Sequence, residues 1–343
     1  MTINKNVFNG DNLKMSNIAV SVIIPVRNEE NYIEHCIDSV IAQDFPKKDL
    51  ELILVDGLSC DRTAEIIRKY MKKYDFIKLL SNPRKTVQCA LNIGIKNAVG
   101  TYIVRMDAHS EYATDYVSKC IEYLEKTKAQ NVGGPMVAQG KTNLQKVIAA
   151  AYESPFALGG GKFHDENFEG YADTVYLGSF KKSTLEKLEV YDERLPCNED
   201  DDLNFRIIEN GGKIFITPQI KSIYYPRSSY KDLFKQYFKY GFWKVAVIKK
   251  HKKPARLSHL VPVSFALFII LFLALSPFWA ISRKILLSVL VLYLFLDTYY
   301  SFKNERASSI ANKFRLVFVH FILHISYGLG FLAGIFKFLT FKF

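Results

Sequence analysis

Two hydrophobic periods alternate along the first hundred positions of the chain. Val20-Ser21-Val22-Ile23-Ile24-Pro25-Val26 is a nearly unbroken apolar run, as a strand buried on both faces of a parallel sheet requires. After Arg27-Asn28-Glu29-Glu30, residues Ile33, Ile37, Val40 and Ile41 recur at helical spacing, and Phe45-Pro46 closes that segment. A second strand, Leu52-Ile53-Leu54-Val55, stops at Asp56-Gly57, and Ser59 or Asp61 caps a helix to about Lys73. A short strand from Phe76 to Leu80 leads to Asn82-Pro83. Thr86 then opens a helix carrying Val87, Ala90, Leu91, Ile95 and Ala98, stopped by Gly100. A β-prone run from Tyr102 ends in Asp107-Ala108-His109. The order βαβαβαβ predicts an α/β domain on a doubly wound, mostly parallel sheet, whose ligands bind beyond the strands' carboxyl ends. Asp56 and Asp107 both stand at such ends.

From about Asn131 to Tyr225 the pattern shifts to shorter strands and fewer helices, with Thr174–Phe180 reading as a strand. Asn198-Glu199-Asp200-Asp201-Asp202 opens a helix that closes at Gly211-Gly212. Ser229 to Lys250 is amphipathic and rich in Phe, Tyr and Lys, which suits a helix lying in a membrane interface. Three apolar spans follow, at about Ser258–Ile281, Ile285–Ser301 and Arg315–Leu339. The pattern divides the chain into a tail (1–18), an α/β domain (19–227), an interfacial helix with basic linker (228–256) and a membrane region (257–343).

Charge sharpens this picture. Of 46 lysines and arginines 13 lie from Lys249 onward, against two of 34 acids, so +11 of the net +12 flanks the apolar spans. That distribution points to a membrane surface and away from nucleic acid. Five basic residues precede the first span and four lie between Lys303 and Arg315, so both sides read as cytosolic. Spans one and two then form a hairpin turning at Arg283-Lys284, and the third carries the C-terminus outward; a re-entrant first pair is the alternative. The first 17 residues lack the apolar core of a signal peptide, and five scattered cysteines show no metal spacing, so the α/β domain is expected in the cytosol. Asp297 lies inside the second span. His320 and His324 share a helix face and read as hydrogen-bonding residues rather than metal ligands, while Gly330 and Gly334 suggest close helix packing.

Candidate chemistry concentrates at two places. On an extended chain Asp107 and His109 point to one side, and a carboxylate-imidazole pair at a strand end suits a divalent cation that holds a diphosphate. A helix-capping Asp is the simpler reading of that aspartate. Four consecutive carboxylates, Glu199 to Asp202, exceed what a helix start needs; crowding raises at least one pKa and suits a general base or cation binding. No GxGxxG follows the first strand, which disfavours a dinucleotide dehydrogenase. Gly159-Gly160-Gly161-Lys162-Phe163 lacks the phosphate-loop spacing and reads as a mobile loop over a site.

Four segments together have a family look: Val22–Glu30, Leu54–Thr63, Asp107-Ala108-His109 and Glu199–Arg206. In this order over about residues 19–250 the chain resembles family 2 glycosyltransferases, in particular the membrane-anchored bacterial branch of succinoglycan synthesis. The resemblance implies a GT-A fold (Rossmann-like, mostly parallel sheet) followed by an interfacial helix and C-terminal transmembrane helices. It implies a nucleotide-diphosphate sugar as donor, UDP-linked by expectation. Pro25, Asn28 and Glu29 would border the nucleotide, Asp56 would bond the base, and Arg84 or Lys85 would meet the nucleotide or its diphosphate. Asp107 matches the first Asp of the metal-binding DxD, and Asp200 the catalytic base, with Glu199 and Asp201 as rivals because helix phase is open. Arg206 closes the acidic motif. Gln236-Tyr237-Phe238-Lys239-Tyr240 is loosely similar to the QxxRW of processive members.

Two departures bear on the chemistry. His109 replaces the second Asp of DxD, which keeps a metal ligand and tilts preference from Mg²⁺ toward Mn²⁺. Lys239-Tyr240 in place of Arg-Trp disfavours processive polymerisation. The expected reaction is metal-dependent, inverting transfer to a hydroxyl of a lipid-linked glycan in surface-polysaccharide synthesis, by a multi-pass protein of the inner membrane. A polyprenyl-phosphate glycosyltransferase and a catalytically silent nucleotide-sugar-binding scaffold are the competing readings.

Overall fold

The computed structural model describes residues 19–158, 161–254 and 256–340. The expected N-terminal tail, Gly159 and Gly160 of the glycine run and the last three residues lie outside the described residues. Strands β1 (Val20–Val26), β2 (Leu50–Asp56), β3 (Ile77–Ser81) and β4 (Tyr102–Arg105) form where the apolar runs predict them, separated by helices α1 (Ile33–Ile41), α2 (Thr63–Met71) and α3 (Val87–Asn97). All four pair in parallel, in the order β3-β2-β1-β4. Pro25 is tolerated in a central strand because β1 pairs with β4 only as far as Ile23, so its missing N–H faces no ladder partner.

Beyond β4 the chain departs from the simple alternation. Ser110–Tyr112 is a short strand, β5, and not a helix start; α4 (Tyr116–Thr127) follows. Then come β6 (Asn131–Gly134), β7 (Val137–Ala138), α5 (Asn143–Glu153), α6 (Pro155–Leu158), β8 (Gly170–Ala172), β9 (Tyr176–Lys181), α7 (Lys182–Lys187), α8 (Glu199–Glu209), β10 (Ile214–Ile216) and β11 (Ser222–Tyr224). β9 inserts antiparallel between β4 and β6, completing an eight-stranded sheet, and β5, β11 and β7 make a second sheet of three. Alternate residues of β1 feed opposite layers. Val20, Val22 and Ile24 pack with α1, α2 and α4, whereas Ile23 packs with α3 and α8.

A long helix, α9 (Tyr230–His251), leaves the second sheet with Ser229 as N-cap, its hydroxyl accepting from the Asp232 N–H at 3.1 Å. Three further helices follow: α10 (Val261–Leu275, preceded by a turn at Leu257–Leu260), α11 (Ala280–Lys303) and α12 (Ile310–Thr340). All three are long and apolar enough to cross a membrane. The turn of the α10–α11 hairpin falls at Ser276–Trp279 and not at Arg283-Lys284, which sit in the first turn of α11. Pro277 has no N–H for the Leu273 carbonyl, which accepts from the Ser276 hydroxyl at 2.8 Å instead, so α10 ends there despite an apolar pattern that runs on. Gly330 and Gly334 do mark close packing: a Cβ at either would collide with the carbonyl oxygen of Phe238 or Phe242 of α9, and one at Gly241 with that of Tyr327.

Candidate active site

The second-layer apolar contacts, Leu203 and Ile207 against Ile103 and Ile214, seat α8 under the carboxyl ends of the strands. Its first turn thereby meets the segment that follows β4. Arg105, the last residue of β4, is 8% exposed, and its guanidinium reaches both groups: Nε lies 3.4 Å from Asp107 Oδ1 and Nη1 3.3 Å from Glu199 Oε1. Burial works against this charge, but Asp107 and Glu199 outweigh it and hold its pKa above the ordinary value. One buried cation thus ties the two halves of the site together.

Asp107, Ala108 and His109 lie in a loop and turn, so strand alternation is not what aligns them. Tyr112 does that work: the Asp107 N–H donates to its hydroxyl at 2.6 Å, which donates to the Asp107 carbonyl at 3.0 Å. His109 Nδ1 sits 3.5 Å from Glu29 Oε1, and its ring contacts Tyr224 edge-on at 5.9 Å. Burial opposes its protonation, yet the Glu29 hydrogen bond and the charge of Asp107 raise its pKa.

The four carboxylates of α8 have different fates. Glu199 is held by Arg105, and Asp201 by Lys244 of α9, a lysine only 7% exposed. Asp202 is fully buried among Arg206 (2.9 Å), Lys250 (2.7 Å) and His251 (2.9 Å). Asp200 has no cation within ion-pair distance among the described residues; its Oδ1 accepts only the Asp201 N–H at 2.8 Å. Burial, Asp201 and Glu199 push it up to about 7. A carboxylate poised there, part-exposed to a cavity, can take a proton near neutral pH.

The cavity holds about 1220 Å³, and its walls include Glu29, Asp107, His109, Glu199, Asp200, Asp201, Gln236 and Lys239. It continues past Tyr152, Phe156 and Arg256 to Val261 and Pro262 of α10 and Leu323, His324 and Tyr327 of α12. Gln236 donates to the hydroxyls of Tyr224 (3.3 Å) and Tyr240 (3.0 Å). The structure sets Pro25, Asn28, Asp56, Arg84, Lys85 and Arg206 outside these walls. Asn28 knits the loops after β1 and β2, its Oδ1 accepting the Cys60 N–H at 2.9 Å and its N–H donating to the Ser59 hydroxyl at 2.9 Å, and Asp56 accepts from Ser59 within the second loop. Arg84 is paired with Glu193, Lys85 is exposed, and Arg206 donates to the carbonyls of Leu188 and Val190. Sequence reasoning passed over Arg105, although a lone charge inside an apolar run was a visible signal. Lys244 gave no signal among the many lysines of α9.

Residues 21–183 match the family model described as Glycosyl transferase family 2. The chain carries a family 2 glycosyltransferase domain. A dolichyl N-acetyl-alpha-D-glucosaminyl phosphate 3-beta-D-2,3-diacetamido-2,3-dideoxy-beta-D-glucuronosyltransferase of Methanococcus voltae is 29% identical over 327 residues, covering 93% of this chain and 97% of the relative. The succinoglycan biosynthesis protein ExoA of Rhizobium meliloti (strain 1021) is 29% identical over 247 residues, covering 71% and 74%. In fold, the glycosyltransferase domain and its helices are similar to a mannosyltransferase, PcManGT from Pyrobaculum calidifontis, solved in complex with GDP-Man and Mn2+. The TM-score is 0.65 at 17% identity, covering 93% of this chain and 87% of that one. The α/β domain has the GT-A fold.

Proposed function

We propose that this glycosyltransferase moves a sugar, with inversion, from a nucleotide-diphosphate sugar to a hydroxyl of a lipid-linked glycan, with Asp200 as general base. The observation that carries the reading is that Asp200 alone of the α8 carboxylates lacks a cation and is held up to about 7 in the cavity wall. The acceptor O–H loses its proton to Asp200 as its oxygen bonds to C1, and the C1–O bond to the diphosphate breaks on the opposite face. An α-linked donor therefore gives a β-linked product. Arg105 ties Glu199 to Asp107 beside Asp200. Lys244 occupies Asp201, which leaves Glu199 and Asp201 as supporting carboxylates and not rival bases.

The donor set suits a divalent cation. Asp107 and His109 offer a carboxylate oxygen and an imidazole nitrogen at the cavity wall, beside Glu29, whose negative charge already draws positive charge to His109. One or two side chains together with a substrate's phosphates are enough to hold such an ion. Bound there, Mn²⁺ or Mg²⁺ would supply Lewis-acid neutralisation of the departing diphosphate.

A lipid-linked acceptor is supported by the cavity itself, whose far walls are residues of α10 and α12. The Methanococcus voltae relative is named for a dolichyl-linked sugar phosphate. With three helices apolar enough for a membrane and the basic excess beside them, we assign the chain to the inner membrane with its catalytic domain in the cytosol. The test is a panel of nucleotide sugars offered to membranes containing the protein plus a lipid extract, with nucleotide release and product anomer as readouts. One donor giving a β-linked glycolipid is expected. An α-linked product from an α-linked donor, or no release from any donor, contradicts the reading; the second outcome favours a silent scaffold.

A further inference from the structure

We infer that α12, although long enough to cross a bilayer, lies in the plane of the membrane surface, so that only the α10–α11 hairpin crosses and both termini face the catalytic side. The inference is independent of the proposed reaction. α12 runs alongside α9 over the whole length of α9: Phe318 meets Tyr230 edge-to-face, Gly330 meets the Phe238 backbone, Gly334 that of Phe242, and Lys249 donates to the Phe338 carbonyl. α9 in turn is fastened to the catalytic domain near both ends, by Gln236, which donates to the Tyr224 hydroxyl of β11 (3.3 Å), and by His251, which bonds Asp202 (2.9 Å) and Glu209 (3.1 Å) of α8. A helix bound side by side to such a partner cannot carry one end across the bilayer.

The two ends of α12 say the same. Near its start, Asn312 and Asn143 of α5 exchange hydrogen bonds at 3.1 Å; near its end, Phe338 joins Leu195 and Phe205 of the catalytic domain in one buried cluster. Thirty residues of helix measure about 45 Å, and a spanning helix would leave one of these ends about 30 Å away across the hydrocarbon core. Burial agrees: half of the apolar window of α12 (50%) is covered, against 11% and 17% for the other two spans. What remains bare is a single stripe, Ile310, Phe314, Phe318, Phe321, Phe336 and Leu339, spaced three or four residues apart or multiples of that spacing. One apolar face on lipid and the other on protein is the arrangement of an interfacial helix. Lys303 just before it and Lys313 and Arg315 in its first turns complement anionic headgroups, while Arg306 pairs with Glu153 and Glu166.

The hairpin is joined to α12 through its lower half, where Pro262 and Ala266 meet Gly328, and Tyr293 and Asp297 bond His324 (2.9 Å) and His320 (2.6 Å). From Tyr293 back to Ala280, α11 extends about 20 Å beyond that crossing, and an interfacial helix sits about 5–10 Å into the boundary. The hairpin tip, with Trp279, Arg283 and Lys284, therefore reaches the far headgroups, where aromatic and basic side chains anchor. The catalytic cavity opens at the membrane surface, against α12.

Sealed vesicles of one orientation test this with a membrane-impermeant maleimide. Exposed Cys60 marks the catalytic side, and single cysteines are added by Ser276→Cys and after Phe343. The appended cysteine should label from the same side as Cys60, and Ser276→Cys from the opposite side. Labelling of the appended cysteine from the far side, or of Ser276→Cys from the Cys60 side, overturns the inference. A protease-removable tag after Phe343, which leaves every native residue in place, gives the same answer without substitutions: cleavage from the Cys60 side is expected, and cleavage only from the far side refutes it.

Discussion

Replacing Arg105 by Met removes one positive charge from a point where two carboxylates converge. Asp107 lies 3.4 Å from that guanidinium and Glu199 3.3 Å, and Asp200 feels the same charge. Breaking a buried pair by removing one partner costs about 3–5 kcal/mol, because the remaining charge is left desolvated; here two remain. The methionine keeps most of the buried volume, so packing loss is a small part of the effect. The penalty depends on pH. With Arg105 gone, protonating the facing carboxylates relieves their repulsion, and Asp200, already raised to about 7, moves higher still. The stability difference between wild type and Arg105→Met should therefore be largest near pH 8 and shrink toward pH 5. Arg105→Lys restores the charge but cannot reach both partners, and should recover about half. Denaturant or thermal unfolding of the detergent-solubilised protein across that pH range is the assay. A penalty below about 1 kcal/mol, or one that does not change with pH, would refute the claim that this arginine joins the two motifs.

Asp200→Asn should be more stable than wild type at pH 8 and equal to it near pH 4. A carboxyl whose folded pKa stands near 7 against 3.8 loses stability as pH rises through that window, on the order of 4 kcal/mol at most and less for a wall open to water; melting curves at both pH values check it. Chelation of divalent cations should stop nucleotide release and added Mn²⁺ restore it, while Asp107→Ala should fail to respond to either. His324 donates from Nε2 to the carbonyls of Phe156 (3.0 Å) and Ala157 (3.2 Å) at the cavity wall, so His324→Leu should speed amide exchange locally around 155–158 and His324→Gln should restore protection. Gly330→Leu drives a side chain into the Phe238 carbonyl and should destabilise by about 3 kcal/mol, visible as loss of folded protein on extraction.

The parallel half of the sheet was legible because β1, β2 and β4 are buried on both faces and read as continuous apolar runs. The second sheet was not: β5, β7 and β11 have three, two and three residues, too few for a period to show. Motif order singled out Asp107 and Asp200, but pairing among Glu199, Asp201 and their cations depends on Arg105 and Lys244, which come from other elements. The nucleotide-side candidates Asn28, Asp56 and Arg84 were placed by resemblance, and the fold uses Asn28 and Arg84 in loop-to-loop contacts and Asp56 in bonds within its own loop. Hydropathy located α12 but cannot report what covers a helix, so an apolar face packed on protein and one bathed in lipid look alike in the letters.

The central claim, a base freed by the pairing of its neighbours, is tested most directly by measuring donor binding and sugar transfer on one preparation of Asp200→Asn. Binding of the nucleotide sugar should match wild type, while transfer to the lipid acceptor should fall by about 10²–10⁴-fold. Transfer at the wild-type rate would contradict the account.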